Sequence, residues 1–391
     1  MNRFVFRQER FGALVYDRKT HGLSIEPRRH VRADADADAV LSAPLRVFLI
    51  ITRACNLSCS YCSTRSGHGR TDRMSYDFID GLLTGLTNMG VFEVAINGGE
   101  PLVHPDFFRV IERARALGLC TYLNTNGVMS DSQLQRLAGA GVDRIKISID
   151  GLSAGNDEYR GTGSFARAMH SARYLSATGN HVRINAVLSR RTAPDMVELA
   201  RLCEEYGCGL KIAPVVRVGR GHELTEERFT ATELRTIAEE LARYCGNATG
   251  QHHIEFCQAL IEEQIRGGPP LDCHGKSLQQ HLSCCNGYMH ATIDTDGSVY
   301  GTGQQVDLEG LRPAGNAYTE SLEEIWEKLT VRADATRSAD PVCQGCDFES
   351  NLVDVIRNIG ARFGEVWQSD MVKIPFGPAP CDCCWPRQSA I

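Results

Sequence analysis

A regular alternation of short apolar runs with longer amphipathic stretches begins at Leu45, and it restricts the possible folds more than any other feature. Six runs have the length and composition of buried strands, at 47–51, 92–96, 120–123, 145–149, 182–188 and 210–213. The stretches between them have helical periodicity, at 77–86, 106–117, 132–140, 165–177 and 195–206. Six βα units in series predict an α/β fold with a parallel sheet covered by helices, and six units suit a partial (β/α)6 barrel.

Three cysteines follow the first predicted strand directly. Cys55, Cys59 and Cys62 have the spacing Cys-x3-Cys-x2-Cys within eight residues. Thiolates at this spacing can hold three corners of one 4Fe–4S cluster, whereas electron-carrying clusters usually take four cysteines. One iron would then be open to a ligand that is not protein. Because reactive loops of such barrels lie at the C-terminal ends of the strands, this loop is the candidate catalytic site.

Two other uses of clustered cysteines are less consistent with the sequence. Structural zinc needs a fourth Cys or His at a matching offset, and the nearest histidine downstream is His68, in a Gly-rich loop. Disulfide frameworks belong to short secreted chains, whereas this chain has 391 residues and no apolar signal segment after Met1. We therefore expect reduced thiols and a cytoplasmic protein.

The loop, with Tyr61 between its second and third cysteines, resembles the signature of the radical S-adenosylmethionine (SAM) enzymes. The resemblance implies that SAM is the ligand of the open iron. It also implies reductive cleavage of SAM to a 5'-deoxyadenosyl radical, which abstracts hydrogen from a substrate. In this interpretation Cys55, Cys59 and Cys62 are both the metal ligands and the catalytic residues.

Further SAM contacts are expected where the other strands end. Asn97 is followed by the segment Gly98, Gly99, Glu100 and Pro101, which resembles the loop by which the family holds the SAM amino group. Adjacent glycines also leave the backbone open for close approach by a ligand. The resemblance extends to Tyr61 in the cysteine loop and to polar residues at or near later strands, namely Asn126, Ser148, Asp150, Asn185 and Arg217. For Ser148 and Asn185 the alternative is ordinary hydrogen bonding at a strand end. For Arg217 and its neighbour Arg220 it is a solvated basic loop.

Eight more cysteines are concentrated in the last third of the chain: Cys273, Cys284, Cys285, Cys343, Cys346, Cys381, Cys383 and Cys384. Eight thiolates would ligate two 4Fe–4S clusters. Together with a predicted hairpin over 291–300 that turns at Asp296 and Gly297, the pattern resembles a SPASM or twitch domain, which binds one or two auxiliary clusters. The chain departs from that pattern at Gly301 to Gly303, where many relatives have a cysteine, so a zinc site remains the alternative. The other cysteines are predicted to be small buried hydrophobic residues: Cys120, Cys203, Cys208, Cys245 and Cys257.

The N-terminal segment is predicted to form β-structure, with one strand over 11–16. It resembles the first strands of small domains that bind a leader peptide by adding it to a sheet edge. A packing extension that closes the bottom of the barrel is the alternative. The predicted division is an N-terminal β extension over 1–44, a barrel over 45–225, a helical linker over 226–270 and an auxiliary-cluster domain over 271–391.

Charge and hydrophobicity give no support to two classes of partner. The net charge of −6 gives no reason to expect nucleic-acid binding, and no apolar run has the length of a membrane span.

The resemblance implies an enzyme that modifies a ribosomally made peptide, with a flavodoxin or ferredoxin as reductant. The alternatives are a radical SAM enzyme for a small molecule, such as a porphyrinoid, sugar or nucleotide, and a non-catalytic zinc or iron–sulfur scaffold.

Overall fold

The computed structural model describes residues 3–9, 12–19, 22–27, 41–215, 218–224, scattered positions from 229 to 244, 254–256, 290–301, 306–307, 311–339 and 372–374. Three strands precede the barrel and pair antiparallel in sequence order: β1 (Phe4–Gln8), β2 (Gly12–Asp17) and β3 (Gly22–Pro27). The predicted N-terminal β-structure is thus present.

Six parallel strands form the centre of the larger sheet: β4 (Arg46–Ile50), β5 (Glu93–Asn97), β6 (Cys120–Thr125), β7 (Arg144–Ser148), β8 (Val182–Leu188) and β9 (Gly209–Pro214). Each strand pairs with the next along the chain. All six lie within one or two residues of the predicted runs, and the partial barrel with its parallel sheet is confirmed.

Helices follow the strands and cover the outside of the sheet: α1 (Tyr76–Asn88), α2 (Phe107–Ala116), α3 (Asp131–Gly139), α4 (Ser153–Arg160), α5 (Ser164–Ala177) and α6 (Met196–Glu205). Ser75 caps α1 by accepting from the Phe78 amide, and Ser130 forms a capping box with Gln133 at α3. Their apolar faces and the outward residues of the strands form one core. Among these six helices, α4, which has few apolar residues, is the one that the sequence pattern does not predict.

The parallel sheet extends beyond the six units on both sides. Strand β10 (Ile254–Phe256) pairs parallel with β9, so the sheet continues past residue 225. On the other side β11 (His290–Ile293) pairs parallel with β4, and β12 (Ser298–Tyr300) and β13 (Gly315–Asn316) continue antiparallel. The hairpin predicted over 291–300 is therefore present, with Gly297 at φ +80° in its turn. It is an extension of the barrel sheet.

The last described elements are helix α7 (Leu322–Ala339) and strand β14 (Val372–Ile374), which pairs antiparallel with β3. On α7, buried Trp326 donates from its indole nitrogen to the Leu41 carbonyl oxygen at 2.9 Å. This contact ties the C-terminal helix to the segment that leads into β4. None of the helices described combines the length and apolar character needed to cross a bilayer.

The N-terminal sheet lies at the end of the barrel where the parallel strands begin. Buried Tyr16 donates to the carboxylate of Glu93, the first residue of β5, which also binds Arg46 and Arg144. Burial disfavours the Glu93 carboxylate, but the two guanidinium groups outweigh it and hold its pKa below the usual value. From β1, Arg7 donates to the carbonyl oxygens of Pro44 at 3.0 Å and Gly90 at 3.2 Å. The cysteine loop is at the opposite end of the strands.

Candidate functional site

The loop that carries Cys55, Cys59 and Cys62 directly follows β4, at the C-terminal end of the parallel sheet. All three thiols are free and only partly buried. Two nitrogens point to the Cys55 sulfur, the Leu57 amide at 3.4 Å and the Asn126 side-chain amide at 3.7 Å. Burial raises the pKa of Cys55 to about 12 and also raises that of Cys59, so neutral thiols are favoured until a cation binds. Three soft sulfur donors with N–H donors beside them fit an iron–sulfur cluster.

Arg53 holds the start of this loop against the β11–β12 hairpin. Its guanidinium binds Asp294 through two nitrogens and donates to both carboxylate oxygens of Asp307 at 3.1 Å. The same group also donates to the carbonyl oxygen of Thr64, beyond the third cysteine, at 3.0 Å. One buried cation therefore fixes both ends of the cysteine loop and joins them to the C-terminal hairpin.

Tyr61 is held from the other side of the loop by Asp150. The Tyr61 hydroxyl donates to the Asp150 carboxylate, which also receives two bonds from Arg160 at 2.7 and 2.9 Å and one from the Val187 amide at 2.9 Å. Burial raises the pKa of Tyr61 well above its usual value. Both Asp150 oxygens already accept bonds within the protein, which favours a positioning role. Arg160 lies on α4, and sequence patterning gave no signal for it.

Gly98 and Gly99 are required by the approach of the cysteine loop itself. A Cβ atom on Gly98 would lie 2.6 Å from the Thr52 carbonyl oxygen, and one on Gly99 would lie 2.4 Å from that of Ala54. The Gly99 amide donates to Thr52 at 2.7 Å, and the Glu100 amide donates to Ala54 at 2.9 Å. The adjacent glycines predict close approach by a ligand; in this structure the chain's own backbone makes a close approach, and contact of these glycines with a ligand stays a prediction.

The Glu100 side chain is turned into the protein. It accepts from the Leu102 amide at 3.2 Å, the Thr125 hydroxyl at 2.8 Å and the Asn126 amide at 2.7 Å. Burial raises the pKa of Glu100 to about 7 against the effect of these bonds. Pro101, also buried, opens a short 3-10 helix after it. Glu100 thus joins the second and third strand ends, and its predicted contact with SAM stays a prediction.

Asn126 and the remaining strand-end residues lie around the same rim. The Asn126 side chain donates to Cys55 and also to Asn56 at 2.7 Å. Ser148 and Asn185 are neighbours across β7 and β8, and both are half-buried. Asn97 and Asn124, linked by a hydrogen bond, are further polar residues near strand ends. Their signal was the same as for Ser148, a polar residue that ends an apolar run.

Arg217 lies outside the described residues, but its neighbour Arg220 has a clear structural role. Arg220 donates to the carbonyl oxygens of Cys59 and Ser66, both at 2.8 Å. Gly219, at φ +60°, lies so close to the loop that a Cβ would be 2.5 Å from the Cys62 carbonyl oxygen. The segment after β9 therefore packs on the cysteine loop, which contradicts the interpretation of Arg220 as part of a solvated loop.

The predicted auxiliary ligands all lie outside the described residues: Cys273, Cys284, Cys285, Cys343, Cys346, Cys381, Cys383 and Cys384. Cys245 and Cys257 lie outside them too, whereas Cys120, Cys203 and Cys208 are buried as predicted. In the part of the chain that the structure describes, no three His, Cys, Asp or Glu side chains are grouped to hold a single metal ion.

Family models match two parts of the chain. The model of the radical SAM superfamily matches residues 49–203, which include the three clustered cysteines. A model of an iron–sulfur cluster-binding domain, SPASM, matches residues 284–347. The first match covers the three clustered cysteines, and the second covers four of the eight C-terminal cysteines, Cys284, Cys285, Cys343 and Cys346.

Individual proteins are similar over most of the chain. Mycofactocin maturase MftC from Mycobacterium ulcerans is 30% identical over 300 residues, which cover 74% of this chain and 76% of that protein. AdoMet-dependent heme synthase from Oleidesulfovibrio alaskensis is 31% identical over 315 residues, covering 77% and 79%. The crystal structure of Streptococcus suis SuiB bound to precursor peptide SuiA has a TM-score of 0.66 at 17% identity, covering 83% of this chain and 87% of that chain. At that identity the likeness to SuiB shows a shared fold.

Proposed function

This chain belongs to the radical SAM superfamily, and we propose from that premise that it modifies a ribosomally made peptide. Membership makes it an enzyme whose cofactors are a 4Fe–4S cluster and SAM, and the SPASM match adds auxiliary iron–sulfur clusters. When bound, the cluster and SAM together supply a 5'-deoxyadenosyl radical that abstracts hydrogen from the substrate. A non-catalytic scaffold does not agree with this membership.

Cys55, Cys59 and Cys62 would hold the cluster, and the residues around them keep their loop in place. Arg53 and Arg220 donate to loop carbonyl oxygens from two sides, while the Asp150 carboxylate accepts a hydrogen bond from the Tyr61 hydroxyl. These contacts order the loop before any cofactor binds, so less conformational entropy is lost on cluster assembly. Its place at the strand ends also puts the reaction at the mouth of the barrel.

The residues proposed to form the SAM site lie in the cysteine loop and at or near the strand ends: Tyr61, Gly98, Gly99, Glu100, Pro101, Asn126, Ser148, Asp150, Asn185 and Arg217. Within this set we distinguish two roles. Ser148 and Asn185 are half-buried and remain accessible for direct contact. Glu100 and Asp150 accept bonds from the protein, so we assign them to positioning the rim.

The similarity to mycofactocin maturase over three quarters of the chain carries the proposal of a peptide substrate. The fold shared with SuiB, whose structure contains a precursor peptide, is consistent with it. In the N-terminal sheet, β1 is a terminal strand of the described order, and its Phe4 and Phe6 are exposed. Addition of a leader peptide there is one proposed use of this sheet. The contacts of Arg7 and Tyr16 with the barrel support the other, a packing extension.

A second candidate is a small-molecule substrate of the porphyrinoid type. The similarity to AdoMet-dependent heme synthase, at 31% identity, favours it over a sugar or a nucleotide. Both candidates need a one-electron reductant, for which we propose a flavodoxin or ferredoxin. We place the enzyme in the cytoplasm, because reduced thiols and oxygen-sensitive clusters suit that compartment.

Anaerobic reconstitution followed by mass spectrometry tests the proposal. The protein with iron, sulfide, SAM and dithionite should form 5'-deoxyadenosine, and the Cys59→Ala variant should not. Co-expression with a precursor peptide encoded beside the chain should change the mass of that peptide. The Cys343→Ala variant should still cleave SAM while peptide modification stops, whereas Cys203→Ala, in the core, should retain both. Conversion of a porphyrinoid together with an unchanged peptide would favour the second candidate.

A further inference from the structure

Asn126, the residue that follows β6, brings its side-chain amide to the sulfur of Cys55. The Asn126 Nδ2 atom lies 3.7 Å from Cys55 Sγ and 2.7 Å from the side-chain oxygen of Asn56. Both hydrogens of this amide are therefore donated within the protein. The Leu57 backbone amide, at 3.4 Å, is a second donor to the same sulfur. Two N–H groups thus point to one of the three predicted cluster ligands.

Backbone partners fix which end of each asparagine side chain carries the nitrogen. The Asn126 oxygen accepts from the Val128 amide at 2.8 Å, so its nitrogen faces Cys55. The Asn56 nitrogen donates to the Val128 carbonyl oxygen at 2.6 Å, so its oxygen faces Asn126. Exchanging nitrogen and oxygen in Asn126 would place a donor against the Val128 amide and an acceptor against the Asn56 oxygen. The hydrogen-bond network therefore requires a donor at the Cys55 sulfur.

Asn126 is also held firmly in the interior. It is 8% exposed, and its backbone amide donates to the buried Glu100 carboxylate at 2.7 Å. A hydrogen bond in a site with little water is electrostatically stronger than one in solvent. Because no N–H hydrogen of the side chain is left for another acceptor, Asn126 contributes to the proposed SAM site through the Cys55 sulfur.

We propose that Asn126 raises the reduction potential of the first cluster by donating a hydrogen bond to the Cys55 sulfur. Reduction adds one electron, supplied by the one-electron donor named above, and part of the added negative charge lies on the sulfur ligands. N–H donors to those sulfurs stabilise the reduced form, and such bonds are among the factors that set iron–sulfur potentials. The contact of the Cys55 thiol with the Asn56 oxygen, at 4.0 Å, needs a proton that iron would replace, whereas the bond from Asn126 does not.

The inference rests on the proposed function, since it requires a cluster on the three cysteines, and two variants test it. Asn126→Ser removes the amide that reaches Cys55, but a serine hydroxyl can still accept from the amide two residues later, that of Val128. Asn126→Asp keeps the shape and an oxygen for Val128, and it replaces the donor by a charged acceptor. The matched control is Asn124→Ser, two residues earlier on β6, where the side-chain amide donates to Asn97.

The midpoint potential is measured on the reconstituted enzyme without SAM or substrate, in a redox titration followed by electron paramagnetic resonance. The signal that is missing in Cys59→Ala identifies the first cluster. In Asn126→Ser the equilibrium constant for its one-electron reduction should fall on the order of tenfold, which corresponds to about 59 mV. Asn126→Asp should lower the potential further, and Asn124→Ser should leave it as in wild type.

Wild-type potentials in both Asn126 variants, or an equal shift in Asn124→Ser, would overturn the proposal. Loss of the first cluster from both Asn126 variants, with the cluster retained in Asn124→Ser, would overturn it too, because Asn126 would then only hold the loop. In these cases the proposed function stands as long as wild type cleaves SAM. A wild type with no cluster signal beyond that of Cys59→Ala would instead refute the proposed function, and this inference with it.

Discussion

Arg53, two residues before Cys55, is joined to Asp294 on the C-terminal hairpin by a buried two-point ion pair. The Arg53 Nε atom donates to Asp294 Oδ1 at 3.2 Å, and Nη2 binds Oδ2. Burial disfavours the charged guanidinium, but Asp294 and Asp307 outweigh it and raise the pKa of Arg53. This ion pair thus joins the cysteine loop directly to the region matched by the SPASM model. A substitution in the hairpin should therefore change how firmly the loop holds the first cluster.

Replacing Asp294 by Asn tests this coupling. A buried Arg53 with one neutral partner loses an interaction worth about 3 kcal/mol, so the variant should melt at a lower temperature. Iron should leave its reconstituted first cluster faster when a chelator is added. The control is Asp296→Asn, an exposed residue in the turn of the same hairpin. If iron release from the two variants is the same, Arg53 does not couple the hairpin to the loop.

The substitution Gly99→Ala should push the loop after β5 away from the cysteine loop. Its new Cβ would meet backbone atoms of Ala54 and Arg53 at 2.4 to 2.9 Å, and a backbone neighbour cannot rotate away. We expect reduced iron content and weaker SAM binding by calorimetry. In Gly81→Ala, where nothing lies within 4 Å of the new atom, the helix should gain about 0.5 kcal/mol instead. Normal iron content in Gly99→Ala would show that the close approach is dispensable.

The same glycines show where sequence reasoning ends. Adjacent glycines after a strand predict a close approach, but the approaching group, the Thr52 and Ala54 backbone, is specified only by the folded chain. The six strands were predictable because each is a short apolar run between polar turns. Arg53 and Asp294 are 241 positions apart, and neither lies in a periodic pattern that could pair them. Helix α4 escaped prediction because its contribution is polar: Arg160 on this helix binds Asp150.

Glu100 should make stability depend on pH near neutrality. Burial raises its pKa from the usual 4.5 to about 7, so between these values the folded protein holds a proton that the unfolded chain has lost. Stability should therefore fall as pH rises through this window, by about 1.4 kcal/mol per unit from this group. Glu100→Gln should abolish this pH dependence. The melting temperature of the variant minus that of wild type should therefore rise between about pH 5 and about pH 8. If the melting temperatures of wild type and Glu100→Gln depend on pH in the same way, the raised pKa of Glu100 is contradicted. The control is Glu112→Gln, at an exposed position, whose melting temperature should follow that of wild type at every pH.

Substitutions of Asp150 and Tyr61 separate two functions of the buried Asp150 carboxylate: its hydrogen bond to the cysteine loop and its ion pair with Arg160. In Asp150→Asn the buried Arg160 loses its carboxylate partner, and about 3 kcal/mol of stability should be lost. Tyr61→Phe keeps that ion pair and removes only the bond to the cysteine loop. If Asp150 positions the loop, both variants should release iron faster than wild type, but only Asp150→Asn should melt markedly earlier. The exposed carboxylate variant Asp131→Asn is the matched control. Iron retention as in wild type for Tyr61→Phe, together with weaker SAM binding in Asp150→Asn, would instead assign Asp150 to direct contact with SAM.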